Sequence, residues 1–355
     1  MRRDTGRPAV APPGPSRLGE QLTALSLDAN PVVRRALEVP RKDRLDPEAF
    51  AREHLAGAGA PVVATDAMDR WPARNKWSFE FFRERYPDDE IVANSPYFLE
   101  PDLGLEPVRA RMRLRDYIDY VLDPRQAPRG EYLLGDLEAL RRNRLPLYEP
   151  SYRVLALHPE LAADVAPSLY FVDDLFSRLP PPVQRFLDLT GSPVHYLFFA
   201  PRGSVAFLHT DYWSTHAYLA QLAGRKLCVL FSPEDDEHVY RGAIRNPFAV
   251  DLRRFPRFER AIPHLAILEA GDTLVIPSGW WHFVIGLAPS LTYSYDFFTA
   301  HNMSVYFSHL FSVIAEALAD PGRIEEDVAR AAADLLRELR AELEAAGGAR
   351  TRPGP

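Results

Sequence analysis

The sequence predicts a mainly β fold with α decorations: an antiparallel β-sandwich or barrel, preceded by a mixed α/β region and followed by helices. Three observations predict it. From about residue 193 to 300 the chain breaks into short β-branched or aromatic runs, among them "VAFLHTD", "AYLAQLAG", "RKLCVLFSP" and "GDTLVIPSG", divided by Gly, Pro and acidic turns. Before residue 193, strand candidates alternate with segments of helical period. From residue 302 onward the pattern turns helical.

The elements follow in order. Residues 1–30 are basic, but Pro and Gly stand where a signal peptide would carry its apolar core, so they read as a disordered lead-in. Residues 31–192 form the N-terminal α/β region. "DPEAFAREHLA" (46–56) is a short helix with Asp46 as N-cap and Pro47 in its first turn. "APVVAT" (60–65) is a strand, "WSFEFFRERYP" (77–87) a helix stopped near Pro87, "DEIVAN" a strand, and "RLRDYIDYVLD" (113–123) a helix. "YLLGDLEALRRN" fits either state. "PPPVQRFLDLTG" (180–191) is a helix with Gly191 as its stop. The barrel region spans 193–300. Residues 301–348 are helical, with "GRIEEDVARAAADLLRELRAELEAAGG" (322–348) Ala/Leu/Glu/Arg-rich and apolar at i, i+3, i+4 spacing, and 349–355 form a polar tail.

Composition narrows the function. The 355 residues suffice for one large domain or two modest ones. A formal charge of −7 gives no whole-protein attraction to nucleic acid or to an anionic membrane, and no stretch has the length and purity of a membrane span. Cys228 is the only cysteine, which rules out an intrachain disulfide and a cysteine-based zinc site and suits a cytoplasmic localisation.

Within "FLHTDYWSTHAYLAQLAGRK", His209 and Asp211 stand two residues apart in a strand-like run, so their side chains share a face. His282, in the apolar run "LVIPSGWWHFV", is the best third partner. Two imidazoles and a carboxylate on one side of a metal form the facial triad of non-haem Fe(II) oxygenases, which leaves positions open for a co-substrate and oxygen. Taken singly, each residue has an ordinary reading: an H-x-D pair arises by chance, a lone His is commonly a satisfied core residue, and Lys226 is commonly a strand-start lysine snorkelling into water.

Longer motifs add to this. "GSVAFLHTD", "LAQLAGRKLCVLFSPED" and "LEAGDTLVIPSGWWHFV" resemble successive strands of the JmjC or cupin-like Fe(II)/2-oxoglutarate oxygenases, closest to the branch containing the factor-inhibiting-HIF asparaginyl hydroxylase. "APVVATDAMDRWPARNKWSFEFFRERYPDDEIVAN" is similar to that family's N-terminal region, so the likeness covers most of residues 45–300. It implies a double-stranded β-helix (cupin, jelly-roll) with the metal inside its mouth. It implies His209, Asp211 and His282 as iron ligands and Lys226 as the counter-ion of the distal 2-oxoglutarate carboxylate. Tyr132 resembles a tyrosine that bonds the same carboxylate.

The chain departs from the family pattern at several places. Ala206 stands where a Thr is frequent, Ala217 where an Asn is frequent, and Asp296 where the asparaginyl hydroxylase has an Asn; two extra residues separate Asp211 from Lys226. His216, Thr215 or Tyr218 are the candidates to replace the missing polar contacts, with Asp296 beside the co-substrate. Tyr212, Trp213 and Trp280 are candidates to line a substrate pocket, against barrel packing as the alternative.

The implied activity is hydroxylation of an unactivated C–H, on an amino-acid side chain in a peptide or protein or on a small molecule, using Fe(II), 2-oxoglutarate and O2 and releasing succinate and CO2. The alternatives are a cupin-type metalloenzyme that does not use 2-oxoglutarate and a catalytically silent binding module. The C-terminal helices are expected either to form a homodimer or to cap the barrel of their own chain.

Overall fold

The computed structural model describes residues 27, 29–95, 105–150, 152–166, 168–190, 195–319, 330–338 and 340–341. The N-terminal region supplies six strands: β1 (Leu37–Glu38), β2 (Arg41–Lys42), β3 (Val62–Ala64), β4 (Glu90–Asn94), β5 (Arg109–Arg113) and β6 (Glu131–Leu134). The barrel region supplies β7 (His195–Ala200), β8 (Val205–His209), β9 (His216–Ala223), β10 (Arg225–Phe231), β11 (His264–Glu269), β12 (Thr273–Ile276), β13 (Trp281–Gly286) and β14 (Ser290–Phe297). One sheet has the order β1-β11-β10-β13-β8, the facing sheet β2-β3-β12-β9-β14-β7, and a small outer sheet β4-β5-β6. The eight barrel strands shuttle between the two large sheets, which is the double-stranded β-helix implied by the motifs.

Strand β10 shows why the sequence builds this shape. Lys226, Cys228 and Leu230 alternate with Leu227, Val229 and Phe231. Cys228 and Leu230 pack inside the barrel with Leu219, Leu274 and Ile276. Leu227, Val229 and Phe231 pack on the other side with Phe258, Leu265 and Ile267. Both faces are covered, so the strand is a continuous apolar run rather than an alternating one. The turn into it needs glycine: Gly224 has φ 74°, and a Cβ there would fall 1.9 Å from the Pro289 carbonyl oxygen.

In the N-terminal region Asp46 caps Pro47–Phe50 by accepting from the Ala49 N–H at 2.9 Å, and the chain continues as a wider π-turn over Ala51–Leu55. Four longer helices of this half of the molecule are α1 (Phe79–Arg85), α2 (Leu114–Leu122), α3 (Leu137–Asn143) and α4 (Pro181–Thr190). Ser78 caps α1 and Asp136 caps α3. The stretch that fits either state is both: β6 ends at Leu134, Gly135 turns at φ 65°, and α3 begins. Strands β1, β2 and β5 have no sequence signal of their own. The first two are two residues long and exist by pairing in parallel with β11 and β3, and β5 reads "RARMR", with only Ala110 and Met112 buried. Gly191 and most of the lead-in lie outside the described residues.

Helix α5 (Met303–Ala319) packs through Tyr306, Leu310 and Ile314 on Phe186 and Leu187 of α4, together with Ala332 and Leu335 of the last helical segment. It thus caps its own chain, while Met303, Val305 and Phe311 remain exposed. Among the described residues no helix is long and apolar enough to cross a membrane.

Candidate active site

Strands β8 and β13 are antiparallel neighbours, and their register sets His209 directly opposite His282. The two rings lie 4.1 Å apart, centroid to centroid. Asp211 follows in extended backbone and turns back to the same point, its Oδ1 3.5 Å from His282 Nε2. One ligand atom from each of His209, Asp211 and His282 lies within 4.8 Å of the other two.

Both imidazoles are oriented from behind. His209 Nδ1 lies 2.6 Å from the Phe207 carbonyl oxygen, and His282 Nδ1 lies 3.2 Å from that of Trp280. Donation from Nδ1 leaves Nε2 as the free lone pair, the tautomer a metal requires. Burial, then the neighbouring His282, pushes His209 down to about 4, so its ring is neutral and able to ligate. A donor set of two imidazoles and a carboxylate, without thiolate, is one that would hold Fe(II).

Lys226 points into the same barrel from β10, on the inner face it shares with Leu230, the residue opposite His282. It is 3% exposed, and burial lowers its pKa to about 8. Its Nζ sits 5.3 Å from the centre of the Phe198 ring, a cation–π contact, and among the described residues no carboxylate pairs with it. A buried ammonium of this kind is costly until an anion joins it, so the site suits a carboxylate ligand.

Asp296 sits opposite Ala217 across the β14–β9 pair. Burial, then the Asp211 carboxylate, holds it well above the usual carboxylate range. The structure therefore brings His209, Asp211 and His282 together, places Asp296 close enough to Asp211 to feel its charge, and sets Lys226 on the inner face of β10.

The surroundings of the remaining expected residues are as follows. Tyr132 is on β6 of the outer sheet, its buried hydroxyl lacks a partner, and its charged neighbours are Arg141 and Asp136; no contact links it to Lys226 among the described residues. His216 is 1% exposed with both ring nitrogens engaged, Nδ1 accepting from the Ser278 N–H at 2.9 Å and Nε2 lying 3.4 Å from Thr299 Oγ1. It offers no free nitrogen to a co-substrate. Tyr218 is buried in an aromatic cluster with Trp71, Tyr293 and Tyr295. Trp280 is 3% exposed, donates its indole N–H to the Ala58 carbonyl at 2.7 Å and packs edge-on against His264. Trp213 packs toward Tyr306 of α5 at 6.3 Å. The Tyr212 side chain lies outside the described residues. Phe198 is the wall residue the motifs do not reveal; its signal is the inward phase of "HYLFFA".

The matched family model settles the kinship: a model described as a cupin-like domain matches residues 47–306. The chain belongs to that family. Similar curated proteins include the lysine-specific demethylase JMJ21 of Arabidopsis thaliana, 26% identical over 280 residues, which are 74% of this chain and 26% of that protein. A bifunctional arginine demethylase and lysyl-hydroxylase, psr-1 of Caenorhabditis briggsae, is 26% identical over 277 residues, 72% of this chain and 61% of that protein. The 2-oxoglutarate and iron-dependent oxygenase JMJD4 of Gallus gallus is 24% identical over 281 residues, 75% of this chain and 61% of that protein. The chain thus spans between about a quarter and three-fifths of the length of these relatives. The cupin-like JmjC kinship implied by the motifs holds, and it includes iron- and 2-oxoglutarate-dependent oxygenases.

Proposed function

We propose that the protein is an Fe(II)- and 2-oxoglutarate-dependent oxygenase that hydroxylates an unactivated C–H of an amino-acid side chain, in a peptide or protein or in a small molecule. The observation that carries this reading is one barrel holding both a His-Asp-His cluster and a buried, unpaired lysine. Iron bound there would supply oxygen activation, with 2-oxoglutarate oxidised to succinate and CO2 as O2 is reduced. His209, Asp211 and His282 hold the ion from one side. Lys226 anchors the far carboxylate of the co-substrate, and Phe198, Leu230 and Val284 keep water from the cavity wall. The names of the relatives, which include arginine and lysine chemistry, make a basic side chain of a protein the first substrate class to test.

A second reading is favoured by Ala206, Ala217 and Asp296: a cupin-type metalloenzyme whose co-substrate is not 2-oxoglutarate. We further propose a homodimer through the exposed α5 face that carries Met303 and Phe311. The deciding experiment is an anaerobic Fe(II) titration with and without 2-oxoglutarate. A weak visible charge-transfer band that needs both, and is lost in His209→Ala and Lys226→Ala, supports the oxygenase. Iron binding without the band supports the second reading. Absence of iron binding refutes both and leaves a binding module.

A further inference from the structure

The turn after Asp211 is strained and tightly held. Tyr212–Ser214 forms a single 3-10 turn in which Trp213 has φ 65° and Ser214 φ 51°, the left-handed region that non-glycine residues avoid. The two residues by which this chain exceeds the family spacing between Asp211 and Lys226 fall in the segment that contains it. Such a conformation persists only where its surroundings impose it.

Here the surroundings are specific. The Ser214 carbonyl accepts two hydrogen bonds, from Ser278 Oγ at 2.7 Å and from Asn302 Nδ2 at 2.8 Å. Ser214 Oγ lies 3.2 Å from His309 Nδ1 of α5. His216 takes the Ser278 N–H at 2.9 Å, and Asn302 Oδ1 takes the Thr299 N–H at 2.9 Å. Asn302 is 5% exposed, and its backbone carbonyl accepts from the Tyr306 N–H in the first turn of α5.

These bonds join three segments. One carries Asp211, three residues before Ser214. The second is the turn at Ser278, four residues before His282. The third is the start of α5, which touches neither ligand. We infer that Ser278 and Asn302 are positioning residues that clamp the Ser214 carbonyl and thereby hold Asp211 against His282 in metal-binding geometry. The inference rests on the metal reading above. Outer partners of this kind typically change metal affinity without touching the ion.

The test is a Co(II) titration of the full chain, read by ligand-field absorption, beside thermal unfolding of the metal-free protein. Asn302→Asp keeps the acceptor for the Thr299 N–H and loses the donor to Ser214. Ser278→Ala loses the other donor, and Ser278→Thr keeps it. Both deletions are expected to weaken Co(II) binding about 10- to 100-fold with an altered band shape, and Ser278→Thr to restore both. Ser308→Ala, on the exposed side of α5, serves as the unaffected control. Affinities of both deletions within about twofold of wild type, or a loss that Ser278→Thr fails to restore, overturn the clamp. If Asn302→Asp does not fold, the two Ser278 variants decide alone. Wild type that takes up no Co(II) refutes the metal reading itself, whereas wild-type uptake with unaltered variants refutes only the clamp.

Discussion

Replacing Lys226 by methionine should stabilise the ligand-free protein. Methionine keeps an unbranched apolar stem, one heavy atom shorter than the lysine side chain, without its charge. Burial lowers the Lys226 pKa from its ordinary 10.5 to about 8. At about 1.4 kcal/mol per tenfold, charging this lysine inside the fold costs about 3 kcal/mol. The sign follows from where the proton sits. At pH 7 the lysine is charged in both folded and unfolded chains, so the folded state bears the whole cost. As pH rises through about 8 the folded lysine loses its proton while the unfolded one keeps it, and the cost fades until both are neutral above 10.5. Lys226→Met should therefore raise the urea-derived stability by up to about 3 kcal/mol at pH 7, with the advantage shrinking between pH 8 and 10.5. 2-Oxoglutarate should reverse the ranking once it reaches about 1,000 times its Kd, where it stabilises wild type by about 4.1 kcal/mol and should leave the variant unchanged. A variant less stable than wild type at pH 7 without ligand, or equally responsive to 2-oxoglutarate, would refute the assignment of Lys226 as an unpaired buried cation awaiting a carboxylate.

Other consequences are structural. Gly224→Ala forces a Cβ onto the Pro289 carbonyl at a backbone angle of φ 74°, so it should cost at least about 2 kcal/mol and shift the β9–β10 turn that delivers Lys226; an unchanged urea midpoint would contradict this. Trp280→Phe removes the 2.7 Å bond to Ala58 and leaves that carbonyl without its indole donor, a loss of about 1–3 kcal/mol in chemical denaturation. Its Co(II) affinity should stay near that of wild type, because Trp280 anchors His282 through its backbone carbonyl and not its ring.

Much of the molecule was legible in the sequence because its signals are local. Short apolar runs ending in Gly, Pro and acidic turns mark barrel strands whatever they pair with. Asp46 and Pro47 announce a helix start in either context. His209 and Asp211 declare a shared face through a period of two. Strands such as β1 and β2 carry no such signal, since a two-residue strand is defined only by its partner.

What the sequence by itself determined is therefore the barrel class, the shared face of His209 and Asp211, and the presence of a lysine with no business inside an apolar strand. What only the tertiary structure decided is who meets whom. The β8–β13 register put His282 opposite His209, and Asp296, paired with Ala217 across β14–β9, lies close enough to Asp211 to feel its charge. The fold also joined Ser214 to Ser278 and Asn302, which stand 64 and 88 positions from it in the chain. Periodicity tells which face of a strand a side chain occupies. Cross-strand register, and the packing of distant segments against each other, tell which other side chain waits there.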